Sequence, residues 1–270
     1  MKNIMLGLSL IFFNTFANAQ NGLENIIVEK YYISDAHDAS ATSGGYLPKG
    51  SVTYRIYADM LPAYRFQAAY GVPGHDLRFA TTTTFFNNES YGASVANDIN
   101  KNALKYNTVM LDSWLSVAAA SAGNFGISKE EDNDLKTIVN EDGLLQNKDA
   151  NADLPLSKRD GLLEASPQLA VTFYGIDSNL LALFGNQNFK TKEQEFFTNN
   201  GSWASIGGSV GPDEKNKVLI AQITTDGDFS FELNIQIGKP TGGAENYVAR
   251  NPVGNEIQLA SLTYSSRKAK

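Results

Sequence analysis

Apolar and polar residues alternate along several stretches of this chain, the pattern of strands whose successive side chains face opposite ways. From Phe229 to Ile237 the odd positions Phe229, Phe231, Leu233, Ile235 and Ile237 are apolar, and Ser230, Glu232, Asn234 and Gln236 between them are polar. Val52, Tyr54, Ile56, Ala58 and Met60 share one face in the same way. Shorter runs at 26–32, 64–70, 77–84, 108–115, 169–174, 217–224 and 256–264 raise the expectation to about nine strands. Glycine-rich turns separate them, and Asp226-Gly227 predicts a two-residue hairpin that makes 217–224 and 229–237 antiparallel neighbours. Helical patterns are short: Ser128 with Glu131 and Thr191 with Gln194 each read as a capping box, the second ahead of Phe196 and Phe197. Many strands and few helices predict a mainly β fold, an antiparallel β-sandwich or jelly roll with a long acidic loop insertion and one or two short helices.

The first residues break this pattern. Lys2, the apolar run from Ile4 to Phe13 and the small-residue pattern Ala17-Asn18-Ala19 are, in order, the three parts of a secretory signal. Residues 1–19 are therefore expected to be removed, leaving 20–270 as a single β domain. The apolar run is shorter than the roughly 20 residues a membrane-spanning helix needs, and no later segment reaches that length, so no transmembrane span is expected. The net charge of −7 disfavours nucleic acid and anionic membrane surfaces, which are held by Lys and Arg. An exported chain is free to form disulfides, yet this one has no cysteine. Thiol catalysis, thiolate metal sites and disulfide staples are thereby excluded, and stability must come from the core or from a bound cation.

The insertion is placed at about 120–165, because from Glu130 to Asp160 the chain is polar and strongly acidic. Loops beyond about 12 to 15 residues inside a compact domain tend to be functional or ordered by a ligand. Asp149, Asn151, Asp153, Ser157 and Asp160 fall at the first, third, fifth, ninth and twelfth positions of a helix–loop–helix calcium loop, whose oxygen ligands wrap a hard cation at about 2.3 to 2.6 Å. Leu154 stands where that loop needs Gly, and Asp160 where it needs the longer Glu. The expected metal ligands are accordingly Asp149, Asn151, Asp153 and Asp160, in a looser Ca2+ turn.

Other motifs carry less. Gly207-Gly208-Ser209-Val210-Gly211 has the spacing of a nucleophile elbow, but no helix pattern follows it and both histidines, His37 and His75, lie upstream, against the required order. It reads as a glycine-rich turn, and each histidine as a surface loop residue. Asn88-Glu89-Ser90 and Asn200-Gly201-Ser202 match the glycosylation acceptor, a pattern common by chance. Tyr31, Tyr32, Tyr54, Tyr57, Tyr64, Trp114 and Trp203 are candidates for stacking on sugars or proteins, with core packing the larger share. No catalytic residues are assigned.

The segments Gly22-Leu23-Glu24-Asn25-Ile26-Ile27-Val28-Glu29-Lys30-Tyr31-Tyr32, Leu47-Pro48-Lys49-Gly50-Ser51-Val52-Thr53-Tyr54 and Phe66-Gln67-Ala68-Ala69-Tyr70-Gly71-Val72-Pro73-Gly74-His75 resemble an N-terminal β-rich domain of secreted Bacteroidota surface proteins, many of them type IX secretion substrates. The resemblance implies compartment more than activity: extracellular, cell-surface or periplasmic. The expected function is a non-catalytic binding or assembly module, such as a subunit of an adhesive layer or filament. Its expected partners are a protein or glycan at the cell surface, self-assembly included. The alternative is a glycan-acting hydrolase with carboxylates on loops at one end of the sandwich. If the acidic turn holds Ca2+, melting in calcium occurs at a higher temperature than melting in chelator, because a ligand bound only by the native state stabilises it. A melting temperature that stays constant across a wide range of free calcium removes that expectation.

Overall fold

The computed structural model describes residues 21–36, 38, 44–106, 108–132, 138–139, 146–147, 160–165, 170–185 and 193–267. The strands are, in chain order, β1 (Leu23–Ile33), β2 (Val52–Met60), β3 (Arg65–Gly71), β4 (Leu77–Thr81), β5 (Trp114–Leu115), β6 (Ala119–Ser121) and β7 (Asn124–Gly126). Next come β8 (Ile138–Val139), β9 (Gln146–Asn147), β10 (Leu162–Glu164), β11 (Val171–Tyr174), β12 (Glu195–Thr198) and β13 (Gly201–Ser209). The last are β14 (Lys217–Thr225), β15 (Phe229–Glu232), β16 (Ile235–Gly238), β17 (Ala244–Val248), β18 (Ile257–Gln258) and β19 (Thr263–Ser265). A one-turn helix, α1 (Ser178–Leu181), and several 3-10 turns complete the described elements. The fold is mainly β and mostly antiparallel, as the alternation predicts, and no helix among the described residues is long and apolar enough to cross a membrane.

Two layers face each other across the main core. The first is the sheet β1-β2-β14-β5. The second is a bent sheet, which three continuous paths cross. Residues 65–81 run through β3 and β4, residues 195–209 through β12 and β13, and residues 229–238 through β15 and β16; β12 and β15 flank β4, while β13 and β16 flank β3. The bend falls at Val72–Asp76 in the central path and at Asn234 beside it. Asn234 is buried there, its Nδ2 donating to the carbonyls of Tyr70 (3.1 Å) and Asp76 (2.9 Å). The alternating run at 229–237 therefore keeps its inward side chains but is split in two at Asn234.

Three local expectations are corrected. Residues 217–225 and 229–232 do not pair: β14 lies between β2 and β5, whereas β15 lies between β4 and β19. Asp226-Gly227 is thus the crossing from one layer to the other. A Cβ on Gly227 would sit 2.6 to 2.8 Å from the hydroxyls of Thr81, Thr82 and Thr83, so close approach accounts for the glycine. Phe196 and Phe197 belong to β12 and not to a helix, the first fully buried and the second exposed, which is the period of two. The expected strand at 108–115 is instead a 3-10 turn, Val109–Leu111, followed by the two-residue β5.

The first sheet is buried on both faces. Tyr54, Ile56, Ala58 and Met60 of β2 face the bent sheet, while Tyr57 lies in a second apolar cluster with Tyr31, Trp114, Leu111, Met110 and Leu219. That cluster is roofed by an outer layer built from 86–132 and 160–164. Arg55, 1% exposed, projects into the same interface. Its Nε donates to Gln222 Oε1 (2.8 Å), its Nη1 to the Gly161 carbonyl (2.7 Å), and the guanidinium lies 3.7 Å from the centre of the Tyr31 ring. Gly161 has φ of +65°, and a Cβ there would meet Arg55 Nη1 at 2.5 Å, so only glycine admits this contact. Replacing Arg55 by Met leaves Gln222 Oε1 without its donor and takes from the Gly161 carbonyl one of its two, and is expected to cost about 1 to 3 kcal/mol. Arg55→Lys recovers only part of this, since an ammonium lacks the planar fork. Urea unfolding measures both, and a loss below about 1 kcal/mol for Arg55→Met refutes the role given to this residue.

Candidate functional site

Of the four expected calcium ligands, Asp149, Asn151 and Asp153 lie outside the described residues. Asp160 is fully buried at the stem of the acidic excursion, where its carbonyl accepts the Tyr31 hydroxyl at 2.6 Å. The stem is closed: Ile127 donates from N to the Gly161 carbonyl (3.0 Å), and Asp132 Oδ2 accepts from Gly161 N (2.5 Å). Among the described residues no three acidic or histidine side chains converge as a metal site. Near the stem, Glu29 is buried beside Arg55 in the cross-strand register, and burial pushes its carboxyl up despite a hydrogen bond from Lys129 N at 2.9 Å.

The other motifs resolve into structural roles. Ser209 lies buried at the end of β13, after a bulge in which Gly207 and Gly208 have φ of 83° and 75°, so it is no nucleophile elbow. His75 is buried and not a surface residue: its backbone bridges to Val72 and its Nε2 meets Glu256 Oε2 at 3.0 Å. His37 lies outside the described residues. Asn88 is buried, its Nδ2 donating to Thr108 Oγ1 and its Oδ1 accepting from Ser90 and Tyr91 N, so it is no surface acceptor, whereas Asn200 is exposed in the turn before β13. Of the tyrosines and tryptophans singled out in the sequence, all but the half-buried Tyr64 are core residues.

The exposed aromatic surface comes from other residues, and part of it frames a cleft of about 300 Å³. Tyr46, 67% exposed, stands at its lip. Leu47, Phe85 and Phe86 give it apolar walls, and Asn87, Glu89, Gln194, Thr225 and Asp226 add polar ones. Three separate segments and Gln194 build it, and each segment is tied down. The first is anchored by buried Leu47 and by the Ser34 hydroxyl on the Pro48 carbonyl (2.6 Å). The second is pinned to the core, with Phe85 N donating to Gln194 Oε1 (2.7 Å), Phe86 N to the Thr224 carbonyl (2.8 Å) and Glu89 N to the Gly44 carbonyl (3.0 Å). The third, at the layer crossing, is held by the hydroxyls of Thr81, Thr83 and Thr225, the closest pair 2.7 Å apart.

Beyond Glu89 the same loop carries Tyr91, which stacks on Tyr106 with ring centroids 4.9 Å apart, both rings nearly half exposed. The loop is positioned by Asp112, a buried carboxyl whose oxygens accept from Asn88 N (2.7 Å) and Ala93 N (2.9 Å). A wider groove of about 480 Å³ lies nearby, but four of the charged residues in its walls pair off, Arg78 with Glu195 and Arg267 with Asp228. Among the described residues, the Tyr46 cleft has no basic residue in its walls.

No protein-family model matches this chain, and no curated protein or solved structure is found to be similar to it. What the molecule binds must be argued from the cleft and the surface around it. Nothing in the alternation marks Tyr46, Glu89 or Asp226, since all three sit in turns. The available signal was the clustering of Gly44-Gly45, Pro48 and Asn87-Asn88 around them, because turn residues on a rigid scaffold are where binding groups concentrate.

Burial pushes the Asp112 carboxyl well above the usual carboxylate range, against the pull of the backbone N–H groups of Asn88, Ala93 and Ser113. Such a group is protonated in both states below about pH 4 and ionises first in the unfolded chain. Its stabilisation is therefore complete at low pH and is lost as pH rises from about 4 through the elevated folded-state value, at up to about 1.4 kcal/mol per pH unit. Asp112→Asn removes this slope. It also turns an amide N–H toward a backbone donor, at a cost of about 1 to 3 kcal/mol. Urea midpoints from pH 4 to 8 for both proteins measure the difference, and parallel pH profiles contradict the assignment.

Proposed function

We propose that the chain is an exported, non-catalytic binding or assembly module of the bacterial surface, similar to the N-terminal β-rich domains of secreted Bacteroidota proteins. The observation that supports this best is the stacked, half-exposed Tyr91–Tyr106 pair, whose Tyr91 lies on the loop that also supplies Glu89 to the Tyr46 cleft. Scattered exposed apolar residues need no explanation, but aromatic rings held in a fixed geometry offer contact area with little further loss of side-chain freedom. The scaffold suits that role, since anchored segments present Tyr46 and Glu89 at one cleft and Tyr91 two residues beyond Glu89. Its partner in this reading is a glycan or protein of the cell surface, a second copy of the chain included.

A second reading, a glycan-acting hydrolase, has one observation in its favour: Glu89 and Asp226 line the same cleft. Release of reducing sugar by the wild type, abolished in Glu89→Gln or Asp226→Asn, would establish it in place of the first.

For the surface module, fractionation of the producing cells should recover a protein whose N-terminus is Gln20 in the medium, periplasm or surface fraction. Tyr91→Ala with Tyr106→Ala should weaken its retention on intact cells about tenfold without lowering its melting temperature. Recovery in the cytoplasm with residues 1–19 intact, or retention unchanged in the double variant, counts against the proposal.

A further inference from the structure

We propose that the cleft beneath Tyr46 is a binding site for a single neutral sugar ring. The inference deepens the binding-module reading and rests on it only for where the sugar is met. Three features of the cleft point the same way. Its volume of about 300 Å³ is at the lower end of what small-molecule sites occupy, so it admits one ring, with any further residues of a chain left outside.

The polar groups select the chemistry. Glu89 and Asp226 bring carboxylates, which when ionised only accept hydrogen bonds, and Asn87, Gln194, Thr84 and Thr225 are neutral. Among the described residues of the walls there is no Lys, Arg or His to offset the charge of a phosphate, sulfate or carboxylate ligand. A neutral polyol fits this set, because each hydroxyl donates one hydrogen bond and accepts others, and two neighbouring hydroxyls can donate to the two oxygens of one carboxylate.

Tyr46 supplies the third feature. Its ring is 67% exposed at the lip, above walls formed by Leu47, Phe85 and Phe86. A pyranose has polar edges and a C–H face, and that face packs against an aromatic ring while the edges turn to polar groups. An ammonium or guanidinium would also be drawn to an aromatic ring and two carboxylates. The neutral side chains that outnumber the carboxylates in the walls favour the sugar, since a hydroxyl both donates and accepts whereas a cation only donates.

The test is titration of the purified protein, by calorimetry and by ligand-observed NMR, with glucose, galactose, mannose, rhamnose and N-acetylglucosamine, and with methylammonium and arginine as cationic controls. At least one sugar is expected to bind saturably with a dissociation constant on the order of a millimolar, the range a ligand of about a dozen heavy atoms reaches. Tyr46→Ala should weaken it about tenfold and Asp226→Asn by a similar factor, while Tyr46→Phe retains binding. The exposure of Tyr46 means that Tyr46→Ala should melt as the wild type does, which separates loss of binding from loss of fold. Absence of saturable binding across the panel, wild-type affinity in Tyr46→Ala, or preference for the cations overturns the proposal. Sugar binding by a protein that stays in the cytoplasm overturns the surface role alone, and a surface protein that binds none of the sugars overturns the cleft assignment alone.

Discussion

A single buried guanidinium joins the layers of this molecule. Arg55 lies in register between Glu29 on β1 and Gln222 on β14, so the three form a polar row across the middle of an otherwise apolar interface. Taking such groups out of water is costly unless each hydrogen bond is remade inside. Here they are remade with the outer layer: Arg55 donates to the Gly161 carbonyl, and Gln222 donates from Nε2 to the carbonyls of Met110 (3.0 Å) and Asp112 (2.7 Å). Both halves of the outer layer are thus tied to one row. An apolar row would leave the Met110 and Asp112 carbonyls without these donors and would fix the register of the outer layer less sharply.

The same row reaches the candidate site through one further residue. Gln222 holds the backbone of Asp112, and the Asp112 side chain holds the loop from Asn88 to Ala93 that carries Glu89 and Tyr91. The opposite wall is set by the layer crossing at Asp226-Gly227, where packing against the Thr81 to Thr83 hydroxyls leaves no room for a side chain on Gly227. The cleft is therefore assembled from segments far apart in sequence, each fixed by a buried hydrogen bond. A site of this kind is formed before its ligand arrives, and little ordering cost remains to be met on binding. The acidic excursion leaves the same framework through the stem at Asp132 and Gly161, so its base is held by the Arg55 row as well.

Much of the strand content was legible because a half-buried strand writes its two faces into alternate residues. The bounds of β2 coincide with the alternating run, and the inward residues of 229–237 are all buried as their period implies. Other elements left no such trace. β13 reads Gly-Ser-Trp-Ala-Ser-Ile-Gly-Gly-Ser, with little intrinsic preference for a strand, and it is one because β3 and β11 complete its ladder on either side. Lys217 to Thr225, expected as a strand from 217 to 224, carries apolar residues on both faces, the signal of a strand covered on both sides.

By itself the sequence determined the mainly β class, the inward faces of the long strands, the place of the acidic excursion and the absence of thiol chemistry. These follow from local period and composition, which act residue by residue. Only the tertiary structure decided that one alternating run breaks at Asn234 to serve two parts of a bent sheet, and that Asp226-Gly227 crosses between layers where its local geometry suits a hairpin. It alone decided that Arg55, on the polar face of an alternating strand, is buried, and that Tyr46, Glu89 and Asp226 meet at one cleft. Each of these depends on which distant backbone supplies a partner for a buried polar group, and that pairing is a property of the packed chain.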